Sequence, residues 1–170
     1  MKLPDAFNTE KNTINAVIET PKGSRNKYAY DKESDYFKLK KILPSGTVFP
    51  LDFGFIPHTI GGDGDPMDVL IIMEQPTYPG CVIECRVIGV IKAVQTEGKK
   101  QLRNDRIVAV AESSLDFEDL KSISDMNKNL LDDIIHFFEY YNSMEGRKFK
   151  LKETKGLQKA MELIRMHLIK

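Results

Sequence analysis

Three aspartates, Asp63, Asp65 and Asp68, fall in the segment Gly61–Val69 (GGDGDPMDV), which Gly61, Gly62 and Gly64 loosen and Pro66 stiffens. Like charges this close repel one another, so the arrangement is costly unless a cation sits among them. Oxygen-only donors suit a hard ion such as Mg²⁺, which keeps several waters and bridges to substrate phosphates. Zinc is disfavoured, because His58, His136 and His167 are scattered and no Cys–His spacing accompanies them. A calcium EF-hand is excluded too. Its loop wants Asp or Asn at the fifth position and Gly at the sixth, where Met67 and Asp68 stand. An isolated D-x-D pair is ordinarily a solvated acidic turn. The third aspartate, the proline and the adjoining apolar run VLIIM reverse that reading here.

Such a loop needs strands on both sides to hold it. Ile14–Thr20, Lys27–Asp31 and Phe37–Leu43 alternate polar and apolar residues, and Val69–Met73, Val82–Val94 and Arg106–Ala111 are runs rich in β-branched residues. The long run predicts a bend at Gly89, and the segments 44–66 and 74–80 read as turn-rich connections. Helix comes late. Asn129–Tyr141 puts Leu131, Ile134, Ile135 and Phe138 on one face, with Asn127 or Asn129 as cap and Gly146 as stop. Lys148–Lys152 alternates like a strand, and Leu157–Ile169 predicts a second amphipathic helix. Short strands followed by packed helices predict an α+β fold with a small antiparallel barrel, as one domain over residues 1–170.

The chain has 170 residues, with 25 Lys+Arg balancing 25 Asp+Glu. Zero net charge argues against chain-wide attraction to nucleic acid or membrane. No apolar run approaches the ~18 residues of a membrane span, and the opening MKLPDAFNTEKN lacks the core of a secretory signal, so a cytoplasmic location is expected. Cys81 and Cys85, the only cysteines, would lie on one face of a regular strand, about 13 Å apart, and are expected as core thiols. His136 opens an apolar stretch and is expected to be structural. Phosphate cradles of the G-x-x-x-x-G-K or G-x-G-x-x-G type are absent. Reading the barrel as an oligonucleotide-binding module is opposed by the neutral charge and the lack of clustered aromatics around Lys99–Arg106.

DGDPMDV resembles the D-x-D-P-x-D-V signature of family I soluble inorganic pyrophosphatases. The likeness continues in IETPKGSRNKY at 18–28, YDKES at 30–34, GFI at 54–56, PGCVI at 79–83, IGV at 88–90 and HFFEYY at 136–141. It implies a five-stranded, OB-like antiparallel β-barrel with flanking strands and C-terminal helices. The activity it implies is hydrolysis of pyrophosphate to two phosphates with several Mg²⁺ ions, Mn²⁺ being the alternative metal. A homo-oligomer, a hexamer in short bacterial-type members, is implied as well. By the same resemblance Asp63 and Asp68 hold metal, with Glu19 as an outer carboxylate often acting through water. Asp65 shares in the metal site and orients or deprotonates the attacking water, while Lys27 and Tyr141 bind phosphate oxygens. A polyanionic substrate requires such cationic neutralisation before water can attack it.

Several positions depart from the family's pattern. Ala29 stands in place of Glu, and Phe49 and Phe53 in place of Tyr. Lys41 replaces Arg, Gln95 and Asn104 replace Asp, Arg106 replaces Lys, and Asn142 replaces the Lys beside Tyr141. The loop Glu97–Arg103 (EGKKQLR) is longer than usual. Three carboxylates are thus missing together. Either the loop bulges to present Asp105 or the site binds fewer metals. Two functions compete: a working diphosphatase, or a pseudo-enzyme scaffold that binds a phosphate ligand or a protein partner.

Overall fold

The structure, a computed structural model, describes residues 2–169. Its strands are β1 (Phe7–Asn8), β2 (Thr13–Thr20), β3 (Asn26–Asp31), β4 (Tyr36–Ile42), β5 (Asp52–Phe55), β6 (Asp68–Ile72), β7 (Val82–Glu97), β8 (Lys100–Arg103), β9 (Arg106–Ala111) and β10 (Lys148–Gly156). Helix α1 (Lys128–Ser143) precedes β10, and α2 (Leu157–Met166) follows it. Strands β2, β5, β6, β9 and β7 are hydrogen-bonded in that order, and β7 pairs again with β2, which closes a five-stranded barrel. Four seams are antiparallel, as expected. The fifth, β6–β9, is parallel. The strand that follows β6 in the chain skips a place to lie between β9 and β2, so β9 returns in the direction of β6.

Both faces of the barrel wall are covered, which explains the near-continuous apolar runs of its strands. Val69, Ile71, Ile107 and Ala109 share a core with Ala160, Met161, Leu163 and Ile164 of α2. The alternate residues Leu70, Ile72, Val108 and Val110 share the other with Ile134, Phe137 and Phe138 of α1. The long strand β7 changes register between Val87 and Gly89 against β9, the bend anticipated at Gly89. Asn127 is the residue that caps α1, its side chain accepting from the Asn129 N–H at 2.9 Å. His136 is exposed on that helix.

Four expectations need correction. The 44–66 stretch contains β5, a four-residue strand too short for alternation to show and buried at every position. The 97–103 loop folds into the β7–β8 hairpin. Cys81 is exposed, because β7 begins one residue later and a turn at Gly80 (φ +90°) precedes it. Cys85 is buried as expected, and burial pushes its thiol far up. Helix α2 stops at Met166, and the chain then bridges from Leu168 to Thr59 and donates from Ile169 N–H to the His58 carbonyl at 2.8 Å. The end of the chain therefore braces the segment that leads into the acidic loop.

Gly54 marks where β5 meets β2 most closely. A Cβ there would lie 2.1 Å from the Val17 carbonyl oxygen and 2.9 Å from the Val17 carbonyl carbon. Backbone cannot move aside as a side chain does. Gly54→Ala is therefore expected to destabilise by about 3 kcal/mol or more, the upper end of overpacking costs. A thermal melt within about 2 °C of wild type, equivalent to less than about 1 kcal/mol, would show that this seam can open.

A carboxylate and cation cluster at the barrel mouth

The acidic loop is an excursion between β5 and β6, tied at its base by Thr59. That buried hydroxyl donates to the Ile56 carbonyl at 2.6 Å and accepts from the Met67 N–H at 3.0 Å. Within the loop, Gly61 N–H donates to the Asp65 carbonyl at 2.6 Å, and the Asp65 N–H donates to Asp63 Oδ1 at 3.3 Å. Gly64 adopts φ +94°, which glycine reaches without a side-chain clash. Asp63 and Asp65 are held at the exposed turn, and Asp68 begins β6.

Parallel pairing sets Asp68 level with Arg106 of β9, and the Arg106 guanidinium lies 3.8 Å from Asp68 Oδ2. Arg106 is buried, with its guanidinium 3.8 Å from the Phe138 ring centre and 4.9 Å from that of Phe149. It donates to the Asn104 carbonyl at 3.1 Å. Burial pushes the Asp68 carboxyl up to about 7. Arg106 and Lys27 pull it down, while Glu19 and Asp63 push it further up. Desolvation also raises the Asp63 carboxyl, and the Asp65 charge adds to that. Asp63, Asp68, Glu19, Lys27 and Arg106 thus share one neighbourhood.

Glu19, near the end of β2, accepts from Lys27 Nζ at 3.0 Å and from the Tyr30 N–H at 2.8 Å. The same ammonium lies 4.0 Å from the Phe53 ring centre and 5.7 Å from that of Phe49. The two phenylalanines therefore meet Lys27 with ring faces where hydroxyls were expected. Tyr141 of α1 packs 5.9 Å from Phe49 and 5.7 Å from Phe137, centre to centre, and the Lys41 ammonium stands 3.5 Å above its ring. Burial raises the Tyr141 hydroxyl pKa, and the neighbouring Lys41 ammonium lowers it.

The substituted positions are also drawn together. Asn104 donates to Gln95 at 3.0 Å, forming a neutral amide pair. Asp105 lines one small pocket with Asp63, Asp68 and Asn104, but its carboxylate is already engaged. It is held by Arg103 at 2.5 Å and by the Ala93 N–H at 3.2 Å, with 8% of its side chain exposed. Asn142 is buried and donates back to the Phe138 carbonyl at 2.8 Å, so that position serves the helix rather than the mouth. Sequence reasoning missed Glu145, which pairs with Lys41. Its position just beyond the last turn of α1, four residues past Tyr141, was the available signal.

The carboxylates suit a hard divalent cation by type. Asp68 in particular is largely desolvated, and its counter-charges are the Arg106 guanidinium at 3.8 Å and, further off, the Lys27 ammonium. Among the described residues, however, no three His, Cys, Asp or Glu side chains close on a single coordinating point. By donor type the residues fit an oxygen-donor site that would complete its shell with water and substrate.

A small closed barrel thus gathers carboxylates beside the buried Arg106 and the part-buried Lys27, the residue types that suit a hard cation and an anionic ligand. Residues 16–169 match the family model described as inorganic pyrophosphatase. The chain is 40% identical over 155 residues to the inorganic pyrophosphatase of Halalkalibacterium halodurans, covering 91% of this chain and 93% of that one. It is 37% identical over 157 residues to that of Methanosarcina acetivorans, covering 92% and 91%. Among solved structures, the inorganic pyrophosphatase from Thermus thermophilus superposes with a TM-score of 0.87 at 32% identity, covering 96% of this chain and 93% of that one. An inorganic pyrophosphatase from Neisseria gonorrhoeae gives 0.88 at 30% identity, covering 98% and 95%. The chain belongs to the inorganic pyrophosphatase family. No helix among the described residues is long and apolar enough to cross a membrane.

Proposed function

We propose that this protein hydrolyses inorganic pyrophosphate to two phosphates with Mg²⁺ held by Asp63, Asp65 and Asp68, and with Glu19 as an outer carboxylate. The observation that carries the reading is the placement of Asp68 at the foot of the acidic loop, level with the buried Arg106 and 3.8 Å from its guanidinium, with the Glu19–Lys27 pair close enough to act on the same carboxyl group. When bound, the divalent ions supply positive charge that lowers the pKa of water and draws negative charge off the diphosphate. Asp65 has no side-chain hydrogen-bond or ion-pair partner among the described residues, which leaves it available to orient the attacking water and take its proton. Lys27 and Tyr141 bind phosphate oxygens, Lys27 as the charge and the Tyr141 hydroxyl as a neutral donor. Lys41 adds a second ammonium. Cytoplasmic location and assembly into a homo-oligomer, six copies by family likeness, belong to the same proposal. Light scattering reads the latter.

The test is phosphate release from pyrophosphate across a range of Mg²⁺ and Mn²⁺ concentrations. Metal-dependent release is expected. Its absence would leave a scaffold that binds phosphate without turnover.

The Gln95–Asn104 pair carries no charge, and Ala29 lies on the same face of β3 as Lys27, two residues on. Fewer divalent ions than the full set of family carboxylates would hold are therefore expected. Ala29→Glu combined with Asn104→Asp should raise Mn²⁺ affinity or the number of ions bound, read by calorimetry without substrate. An unchanged titration would show that these positions do not face the ions.

A further inference from the structure

A line of alternating charges crosses the rim above Tyr141. Lys41 of β4 pairs with Glu145, which follows α1. Glu145 Oε2 accepts from Arg147 at 2.9 Å, and Arg147 lies 3.3 Å from Glu97 at the end of β7. Three segments distant in the chain, the β3–β4 hairpin, the turn after α1 and the lengthened β7–β8 hairpin, are joined by these four side chains.

Register explains why Lys41 needs a carboxylate partner. Lys41 sits directly opposite Lys27 across β3 and β4, and like charges at facing positions are destabilising. Each ammonium is neutralised separately, Lys27 by Glu19 at 3.0 Å and Lys41 by Glu145. The two carboxylates differ in setting. Glu19 lies inward, with 13% of its side chain exposed, and accepts a backbone N–H as well. Glu145 stands at the rim with 33% exposed, and its second oxygen is drawn outward by Arg147.

We infer that Glu145 is an internal competitor for the anionic substrate. It occupies Lys41 in the free enzyme and is displaced from that ammonium by a phosphate group, so that it sets substrate affinity. Glu145 is a positioning residue acting through Lys41, and it takes no part in proton transfer or bond cleavage. Arg147 receives the displaced carboxylate, because it already holds the other oxygen. This inference rests on the phosphate-binding reading of the Lys27, Lys41 and Tyr141 cluster.

The test is calorimetric titration of the full chain with inorganic phosphate, beside KM and kcat for pyrophosphate, for wild type, Glu145→Gln and Glu97→Gln. Removing the competing charge should tighten phosphate about three- to fivefold, the scale of one partly exposed ion pair, and lower the KM for pyrophosphate by a similar factor. Glu97→Gln removes the same charge from the same rim without touching Lys41 and should leave phosphate affinity at the wild-type value. Phosphate binding by Glu145→Gln that is unchanged or weaker overturns the inference, as does an equal gain in Glu97→Gln, which would mean a diffuse field effect. A lower melting temperature without tighter phosphate means that Glu145 only braces its turn, and also overturns it. Wild type that binds phosphate but releases none from pyrophosphate refutes the hydrolase reading and leaves the competition measurable by calorimetry.

Discussion

Substituting Asp65 with asparagine is expected to lower kcat for pyrophosphate by about 10²- to 10⁴-fold, the usual contribution of a positioned general base. The change is nearly isosteric. The Asp65 N–H still donates to Asp63 and the Asp65 carbonyl still accepts from Gly61, so the loop keeps its shape. What disappears is a carboxylate able to accept the proton of attacking water. If Asp65 acts chiefly on the chemical step, kcat falls and KM changes little. A KM raised with kcat intact would instead make Asp65 a binding group. A variant as active as wild type would remove it from the chemistry altogether. Since Asp63 and Asp68 remain in the variant, the ions retain two of their carboxylates, and a Mn²⁺ titration separates lost affinity from lost proton transfer.

The second large effect concerns stability. Arg106→Met is expected to destabilise the fold by about 3 kcal/mol, because removing one partner of a buried pair leaves the other uncompensated. This is the low end of the range for such pairs, since Asp68 keeps 24% of its side-chain exposure and Arg106 keeps 4%. For a chain of this size the shift in melting temperature is roughly 6–12 °C at fixed protein concentration. Methionine fills the space against Phe138 and Phe149, so the measured loss reports the charge more than the packing. The measurement is made with chelator present, alongside Asp68→Asn and the double variant. A double variant less damaged than the sum of its parts shows that the two groups compensate one another. Additive effects would mean that the guanidinium stabilises the fold through Asn104 and the aromatic rings alone.

The acidic loop was legible in the chain, because it is local. Asp63, Asp65 and Asp68 are kept within six residues of one another by a glycine-rich turn and bend and a proline, so their proximity in the chain was readable without the rest of the fold. Buried strands were legible for a related reason: β6 and β9 are covered on both faces, so their apolar runs are continuous. β5 was not legible. Its four residues are buried by neighbours brought from β2 and β6, and only the approach of Val17 explains why Gly54 is needed there.

Side-chain direction was the other property hidden in the sequence. Asn142 sits beside Tyr141 in the chain, yet helical geometry turns it into the core to meet the Phe138 carbonyl. Asp105 neighbours a substituted position, but in the two-residue connection between β8 and β9 its carboxylate is taken up by Arg103 and the Ala93 N–H. Closure of the barrel by β2 and β7, the level placement of Asp68 with Arg106, and the ion pair between Lys41 and Glu145 join residues far apart in sequence. By itself the sequence determined which groups could bind a hard cation and a phosphate, since that depends on residue type and short spacing. Only the tertiary structure decided which charge faces which, because Coulomb energies depend on distances and desolvation that exist once the strands have paired.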